Sequence, residues 1–441
     1  MSEQLFLQRL RSLDPVARFG RVKSIMPTYV EADGPSVPLG ALCEIETRAG
    51  RGASAPALAS VVRVGRESIT LVPFEDGPAT FSGARVTACG DAAAVPVGDA
   101  FLGRAVDALG RPIDGGPPIR ADRTAPLAGL ATPPLARTSP KHILETGIRA
   151  IDGMLTLGAG QRVGLFAAAG VGKTSLMAQL ARQVGADACV ICLVGERGRE
   201  VEAMWSNGLS PEAKARTVLV AATSDQAAAM RVRAGDYALA LAEDMRAQGR
   251  HVLLLLDSVT RLAMAMREIG LAAGEPPTVR AYTPSVFSAI PKIVERCGAL
   301  KAGGAITAVM TVLSETDDVD DPVSEMMKSL LDGHIILSRE LAEQGHYPAI
   351  DIPRSISRLA GALMPPPHRA AAEAAGALLS TYESSRTLIE TGVYARGSNA
   401  EIDRAVARRP ALLDFLKQAS TDRTPAAASA EALARLIREG A

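Results

Sequence analysis

The stretch "QRVGLFAAAGVGKTSLMAQLARQV", residues 161–184, decides the fold. Its "VGLFAA" is an apolar run typical of a β-strand. After it, Leu176, Leu180 and Val184 lie four residues apart, which is the spacing of one buried face of a helix. Between these elements "AAAGVGKTS", residues 167–175, approaches the phosphate-binding pattern G-x-x-x-x-G-K-[ST]. Because strand, glycine-containing loop and helix follow in the required order, the sequence predicts a nucleotide site.

The chemistry of this loop assigns a role to each residue type. Backbone N–H groups and the positive end of the following helix attract the β- and γ-phosphates, and Lys173 supplies a point charge beside them. The hydroxyl of Thr174 is a ligand for Mg²⁺. Ala167 replaces the first glycine of the pattern, which is harmful only if that position needs a positive φ. We therefore expect a bound nucleotide to contact Ala168, Ala169, Gly170, Val171, Gly172, Lys173, Thr174 and Ser175.

Acidic residues follow two further apolar runs. "HVLLLLDSVTR" predicts a strand that ends at Asp257, where a carboxylate of a parallel sheet emerges beside the loop and holds Mg²⁺ through water. "CLVGERGREVEAMW" places Glu196 and Arg197 just past another strand. Hydrolysis needs a group that orients and polarises water, and Glu196 is our candidate. The alternative is that "ERGRE" forms a surface cluster of local ion pairs.

Composition limits the class of protein. The 441 residues contain 48 Lys plus Arg and 48 Asp plus Glu, so no net charge favours nucleic acid or a membrane surface. No apolar run is long enough to span a membrane, and the first residues lack the pattern of a secretory signal. The expectation is a cytosolic protein. Cys189 and Cys192 lie in an apolar strand and are interpreted as buried thiols that face opposite sides of it.

The pattern along the chain changes three times and predicts four parts. Residues 1–18 suit a short amphipathic helix, which either packs on its own domain or is an arm that binds a partner. Residues 19–98 contain short β-type segments broken by Gly and Pro, which indicates a small barrel. Strands and helices alternate over 99–362, which is typical of a parallel α/β sheet, and residues 363–441 are helical in pattern. The fold class is α/β.

Long, ordered motifs cover most of the chain and carry a family resemblance. They are "ETGIRAIDGMLTLGAGQRVGLFAAAGVGKTSLM", "GERGREV", "LLLLDSVTRLAMAMREIGLAAGEPP", "YTPSVFSAIPKIVERCG" and "YPAIDIPRSISR". They resemble the catalytic chains of the rotary ATPases, and within them the flagellar protein-export branch. In that branch the loop resembles F-A-G-S-G-V-G-K, with alanine also at the position of Ala167. This chain departs from it by Ala168, where the branch has glycine.

The resemblance implies a RecA-like P-loop domain, a small N-terminal β-barrel and a C-terminal helical domain. It matches Glu196 to the catalytic glutamate and Asp257 to the aspartate that organises magnesium. Arg358, in "SISR", matches the arginine that enters the neighbouring subunit's site, and Tyr347, in "HYPAID", matches the tyrosine that stacks on adenine. From residue type alone, Arg358 suits a surface ion pair and Tyr347 a core position. The implied catalytic set is Lys173, Glu196, Arg197, Asp257 and Arg358.

The implied activity is hydrolysis of Mg·ATP between subunits of a homohexameric ring, which energises export of flagellar proteins. Because the loop, Glu196, Asp257 and Arg358 occur in one chain, identical copies could complete every site. The implied partners are a dimeric regulator bound by the N-terminal helix, a coiled-coil central stalk, the export gate, chaperones and export substrates. No nucleic acid is expected. The implied location is cytoplasmic, peripheral at the inner face of the cell membrane.

Three other functions are compatible with parts of the sequence. An injectisome ATPase shares nearly all the motifs. A ring-shaped RNA motor of the Rho type resembles "LLLDSVTRLAMA", but it needs a basic, aromatic RNA-binding fold, whereas Phe19, Tyr29, Phe74 and Phe81 are scattered and lack basic neighbours in register. A scaffold protein with an inactive site is disfavoured because Lys173, Glu196 and Asp257 are all present.

Overall fold

The computed structural model describes residues 18–438 apart from 49–54, 76, 78, 90–92 and 314–320. The predicted N-terminal helix, residues 1–18, therefore lies outside the described residues except for Arg18. The fold is the predicted α/β architecture, with a barrel before the P-loop sheet and helices after it.

A closed six-stranded barrel forms the first part, with strand order β1-β2-β5-β4-β3-β6. Its strands are β1 (Phe19–Ile25), β2 (Val30–Ala32), β3 (Leu42–Ile45), β4 (Ala57–Val64), β5 (Ile69–Pro73) and β6 (Arg85–Ala88). Alternate residues of these strands point inward, so that small and branched side chains fill the interior. The sequence suggested that the aromatic residues of this part lack basic neighbours. In the structure two of them have one, because the guanidinium of Arg48 lies over the ring of Phe81 and that of Arg85 over the ring of Phe19.

The second part is built on one large sheet whose core strands are parallel. Fourteen strands follow the barrel in the described chain: β7 (Ala94–Val97), β8 (Arg104–Val106), β9 (Arg123–Pro126), β10 (Arg137–Thr138), β11 (Ile143–Leu144), β12 (Leu157–Gly158), β13 (Arg162–Ala167), β14 (Ala188–Glu196), β15 (Thr217–Thr223), β16 (His251–Asp257), β17 (Gly298–Leu300), β18 (Ala305–Leu313), β19 (Gly333–Ile336) and β20 (Ile356–Ser357). The main sheet has the order β20-β19-β13-β18-β16-β14-β15-β8, and only β20 on this path is antiparallel to its neighbour.

Helices cover both faces of the sheet and continue into the C-terminal part. Those described are α1 (Lys173–Gln183), α2 (Gly198–Ser206), α3 (Pro211–Ala215), α4 (Ala228–Ala247), α5 (Val259–Ala272), α6 (Pro284–Glu295), α7 (Pro322–Leu330), α8 (Arg339–Glu343), α9 (Ala360–Leu363), α10 (Pro366–Glu390), α11 (Ala400–Leu416) and α12 (Ala426–Arg438). Within the residues that the structure describes, no helix has the length and apolarity needed to cross a membrane.

Burial on both faces explains the apolar strands of the sheet. Strand β14 is buried throughout, and its side chains alternate between the two cores. Cys189 belongs to the core that contains α1, and Cys192 to the core that contains α4. Both thiols are buried, as expected, and burial raises the pKa of Cys189 to about 12.

The C-terminal helices pack on the α1 side of the sheet. Phe415 at the end of α11 and Leu433 of α12 join the same core as Leu176 and Leu180 of α1. The buried ring of His368 hydrogen-bonds the carbonyl oxygen of Gly153 through its Nε2, at 2.8 Å. The helical part therefore lies beside the helix that follows the P-loop.

Candidate active site

The loop between β13 and α1 adopts a glycine-dependent conformation. Gly170 and Gly172 have φ values of 81° and 91°, in the region that favours glycine. Ala167 is instead the last residue of β13, pairs with Leu313, and does not have a positive φ. Alanine is therefore tolerated where the phosphate-binding pattern has its first glycine.

The residues of the loop differ in exposure. Ala168 and Val171 are buried beneath it, whereas Ala169, Gly170, Thr174 and Ser175 are exposed. Helix α1 begins at Lys173, so the N–H groups of its first turn lack partners within the helix. These free donors and the helix dipole make the loop suited to bind a phosphate.

Three side chains meet at the carboxyl ends of neighbouring strands. The Nζ of Lys173 lies 2.5 Å from Oδ1 of Asp257, at the end of β16, and 3.5 Å from Oε1 of Glu196, at the end of β14. The hydroxyl of Thr311 in β18 donates to Oδ1 of Asp257 at 2.6 Å. The sheet order places these strand ends side by side, so residues far apart in sequence form one charged cluster.

Glu196 is held in an environment that favours its protonated form. Only 3% of the residue is exposed, and burial, a hydrogen bond with Glu200 and the nearby charge of Asp257 raise its pKa to about 7. The same hydrogen bond lowers the pKa of Glu200. Nη1 of Arg261 lies 3.2 Å from Oε2 of Glu196 and also donates to the carbonyl oxygen of Gly195. A carboxyl group with a pKa near neutrality is suited to proton transfer at physiological pH.

Arg197 is placed differently from Glu196. Its side chain is 66% exposed and lies 4.0 Å from Glu200. In the described part of the chain it forms no ion pair with Glu196 or Asp257. The alternative of a local surface pair therefore describes Arg197, but not the buried Glu196.

Tyr347 stands over the start of α1. A Cβ added to Gly172 would lie 3.3 Å from the ring of Tyr347, a tight contact, so glycine at this position gives the ring room to approach the loop. The tyrosine is 45% exposed and lines a cavity of about 350 Å³ with Gly172, Ser175, Gln179 and Gln418. A flat, open cavity wall of this kind is suited to stacking a base.

Arg358 lies away from this cluster. Ser357 pairs with Gly333, the first residue of β19, and the backbone N–H of Arg358 donates to the carbonyl oxygen of Asp332. Arg358 thus sits beside the amino end of β19, whereas the P-loop follows the carboxyl end of the parallel strand β13. Its exposed guanidinium donates to the carbonyl oxygen of Lys328 at 3.1 Å. Among the described contacts it meets neither Lys173 nor Glu196 of its own chain.

Four residues of the site were missed from the sequence: Arg261, Glu200, Thr311 and Gln418. Arg261 lies four residues after Asp257, and Glu200 lies four residues after Glu196. Each is the third residue of the helix that follows the strand. Their place directly after a strand end is a usable signal, because the carboxyl ends of parallel strands meet at one edge of the sheet. Thr311 and Gln418 carry no local signal, since only the sheet order and the packing of the C-terminal helices bring them to the site.

Comparison with known proteins gives two family matches. The model described as the ATP synthase alpha/beta family, nucleotide-binding domain, matches residues 147–357. The model described as the T3SS EscN ATPase C-terminal domain matches residues 364–435.

Individual relatives match over nearly the whole chain. The flagellum-specific ATP synthase of Salmonella typhimurium is 44% identical over 439 residues, which cover 97% of this chain and 95% of that protein. The type 3 secretion system ATPase of Xanthomonas euvesicatoria is 44% identical over 411 residues, which cover 93% and 92%. The assembled ATPase EscN from the type III secretion system of enteropathogenic E. coli superposes with a TM-score of 0.89 at 38% identity, over 95% of this chain and 100% of EscN. EscN has also been solved in complex with its central stalk EscO, and that structure has a TM-score of 0.85 at 37% identity over the same shares.

Proposed function

Because this chain belongs to the ATP synthase alpha/beta family, together with flagellum-specific ATP synthases and type 3 secretion system ATPases, we propose that it couples ATP hydrolysis to export of flagellar proteins. The predictions of the family, of the fold and of a P-loop ATPase are confirmed. The relatives named flagellum-specific ATP synthase support the flagellar branch.

One observation carries the catalytic proposal: Lys173 lies between the carboxylates of Glu196 and Asp257. In the proposed mechanism the loop from Ala168 to Ser175 binds the phosphates and Lys173 neutralises charge on the β- and γ-oxygens. Glu196, with its pKa near 7, orients the attacking water and accepts its proton. Arg197 remains a proposed member of the catalytic set, in which its exposed side chain would act on a ligand or a neighbouring subunit.

The proposed cofactor is Mg²⁺, bound with ATP. Thr174 follows Lys173 in the chain, and the carboxylate of Asp257 contacts Lys173. A hydroxyl and a carboxylate are hard oxygen donors, which fits this ion. Bound Mg²⁺ supplies further neutralisation of the phosphate oxygens. We propose that Asp257 acts through water and that Tyr347 stacks on the adenine.

The proposed assembly is a homohexameric ring in which Arg358 acts on the neighbouring subunit's ATP. Its position at the other end of the sheet from its own P-loop supports this role, since a group there needs a second copy to reach a bound phosphate. The similarity to assembled EscN also supports a ring, and the EscN–EscO complex supports a central stalk as a partner, which we propose to be a coiled coil.

The remaining assignments are extensions of this proposal. The regulator bound by residues 1–18, the export gate, chaperones and substrates are proposed partners, and the proposed location is the cytoplasmic face of the membrane. The domain limits 19–98, 99–362 and 363–441 are proposed from the sequence pattern. The barrel, sheet and helices described above support this order of parts, although β7 (Ala94–Val97) pairs with β9 and packs in the core of the second part.

An injectisome ATPase is the second candidate, because the Xanthomonas relative is as similar as the flagellar ones. Deletion of the gene in its own host separates the two. The flagellar function predicts cells without filaments whose injectisome substrates are still secreted. The injectisome function predicts the reverse.

The proposed enzyme is tested by phosphate release from Mg·ATP as a function of protein concentration. We expect the specific activity to rise cooperatively, because each site needs a neighbour's Arg358. Glu196→Gln should retain Mg·ATP binding but lose turnover, since an amide cannot accept the proton. A specific activity that does not depend on concentration, with monomers present throughout, would contradict the shared site.

A further inference from the structure

A short turn from the C-terminal helices forms part of the cavity beside Tyr347. We name residues 417–425, which connect α11 to α12, the Gln418 turn. Gln418, Ala419 and Ser420 line the same cavity of about 350 Å³ as Tyr347 and Gly172. The wall of the proposed adenine subsite is therefore built from the C-terminal helical part as well as from the P-loop sheet.

The side chain of Gln418 is buried and uses both ends of its amide. The residue is 4% exposed. Its Oε1 accepts from the backbone N–H of Arg149 at 2.8 Å, and its Nε2 donates to the carbonyl oxygens of Gly147 at 2.8 Å and Asp422 at 2.9 Å. Only a side-chain amide offers one acceptor and two donors in this geometry.

The backbone of Gln418 is bound to the stacking residue itself. Its N–H donates to the carbonyl oxygen of Tyr347 at 2.8 Å. One residue thus ties three segments of the chain together: 147–149, the Gln418 turn and the loop that carries Tyr347. Movement of this side chain would move the backbone that places the ring of Tyr347 above Gly172.

The turn is also attached to the helix that begins at Lys173. Arg182 in α1 donates through Nη2 to the carbonyl oxygen of Ser420 at 3.1 Å, and Gln183 donates through Nε2 to that of Asp422 at 2.7 Å. These bonds lie near the end of α1, about two to three turns from the phosphate loop. They fix the turn relative to the site without touching the position proposed for the phosphates.

From this geometry we infer that Gln418 is a positioning residue for the base of the nucleotide, acting through Tyr347 and the wall of the adenine subsite. The inference rests on the proposed ATP site and assigns binding of the phosphates and of the base to different segments of the chain. The phosphates are bound by the sheet and loop, whereas affinity for the base depends on the C-terminal turn. Among the described hydrogen bonds of Gln418, none reaches the phosphate loop or Glu196.

The test compares a ligand that has a base with one that has none. Gln418→Glu keeps the shape of the side chain and the acceptor toward Arg149, but it turns a carboxylate oxygen toward two carbonyl oxygens. We expect the Kd of Mg·ADP, measured by calorimetry, to rise roughly tenfold, while the Kd of Mg·tripolyphosphate changes by less than about twofold. The KM for ATP should rise in parallel, with kcat at saturation nearly unchanged.

The matched control is Gln344→Glu, which makes the same substitution at an exposed glutamine outside the cavity and should leave both affinities unchanged. If Gln418→Glu fails to fold, Gln418→Met gives the same comparison with an uncharged side chain of similar length. Equal weakening of both ligands, or of neither, would overturn the inference. If the unaltered protein bound neither ligand, the proposed ATP site itself would be wrong.

Discussion

Lys173 controls the electrostatics of the site at the scale of single residues. It is the cation that lies between two carboxylates, Glu196 and Asp257, which are 3% and 2% exposed. A buried charge is costly to leave without a partner, so loss of Lys173 leaves two like charges facing each other. Arg261 forms an ion pair with Glu196, and the hydroxyl of Thr311 donates a hydrogen bond to Asp257.

The raised pKa of Glu196 predicts the pH dependence of the enzyme. A base must be deprotonated to act, and with a pKa of about 7 only about one tenth of the molecules are deprotonated at pH 6. We expect kcat/KM, which reports the free enzyme, to fall about tenfold per pH unit below the pKa. The measurement is initial ATPase rate at low ATP between pH 5.5 and 9.

Glu200 supplies the internal control for that profile. Its hydrogen bond raises the pKa of Glu196, so Glu200→Ala should move the acid limb of kcat/KM to lower pH. Glu202→Ala removes a carboxylate from the same helix that is not among the causes of the shift, and it should leave the limb in place. A limb that stayed fixed in Glu200→Ala would show that another group sets the pH dependence.

At this scale the sequence predicted residues that follow apolar strands, and it missed those that depend on packing. Lys173, Glu196 and Asp257 could be found because the carboxyl ends of parallel strands meet at one edge of a sheet. The raised pKa of Glu196 could not, since it depends on burial and on Glu200. Gln418 lies 71 residues after Tyr347 in the chain, and no periodic pattern connects them.

At the scale of elements, long apolar strands were easier to predict from the sequence than short strands. β14 and β16 are buried on both faces, and their continuous apolar sequences identify them. The sequence indicated the barrel but not the bounds of its strands, because β2 has only three residues and β3 and β6 have four each. Their pairing depends on closure of the barrel, which local sequence does not encode.

The loop before α6 adopts a conformation that its residues do not favour. Ala281 has a φ of 59° in the short 3₁₀ turn Val279–Ala281, and left-handed backbone costs a residue with a Cβ about 1 kcal/mol or more. Ala281→Gly should therefore raise the free energy of unfolding by roughly 0.5–1 kcal/mol, after allowance for the greater freedom of glycine in the unfolded chain. Urea denaturation at fixed protein concentration measures it.

The control for this substitution is the same change in a regular helix. Ala434 lies within α12, where replacement by glycine should lower stability by roughly 0.5–1 kcal/mol. Opposite signs at the two positions are the expected result. Destabilisation of similar size at both would show that the left-handed turn is not a source of strain.

At the scale of the whole molecule, one chain holds all the proposed catalytic groups but does not bring them together. Arg358 sits beside the amino end of β19, and the charged cluster of Lys173, Glu196 and Asp257 lies at the carboxyl ends of the parallel strands. The sequence showed that every group is present, but the separation follows only from the order and direction of the strands. This separation is the structural reason to expect that the active unit is larger than one chain.

Arg358→Ala should remove charge stabilisation of the transition state while leaving nucleotide affinity largely intact. An arginine that acts in this way contributes roughly 10³ to 10⁵ in rate, which corresponds to about 4 to 7 kcal/mol of barrier. Arg369→Ala is the matched control, since the guanidinium of this exposed arginine donates only to the carbonyl oxygen of Gly361 in the described contacts. Its turnover should equal that of the unaltered protein.

Mixing two inactive variants distinguishes action between subunits from action within one chain. A Lys173→Ala chain lacks a working loop but retains Arg358, which it can offer to the intact loop of an Arg358→Ala neighbour. Mixed rings should therefore recover part of the ATPase activity that neither variant has alone. If Arg358 acted within its own chain, every site in the mixture would lack either the loop or the arginine, and no activity would return. A lack of recovery is informative only if the two variants assemble together. Mixed rings must therefore be demonstrated by capture through a tag on one variant. If mixed rings form and no activity returns, the shared site is ruled out.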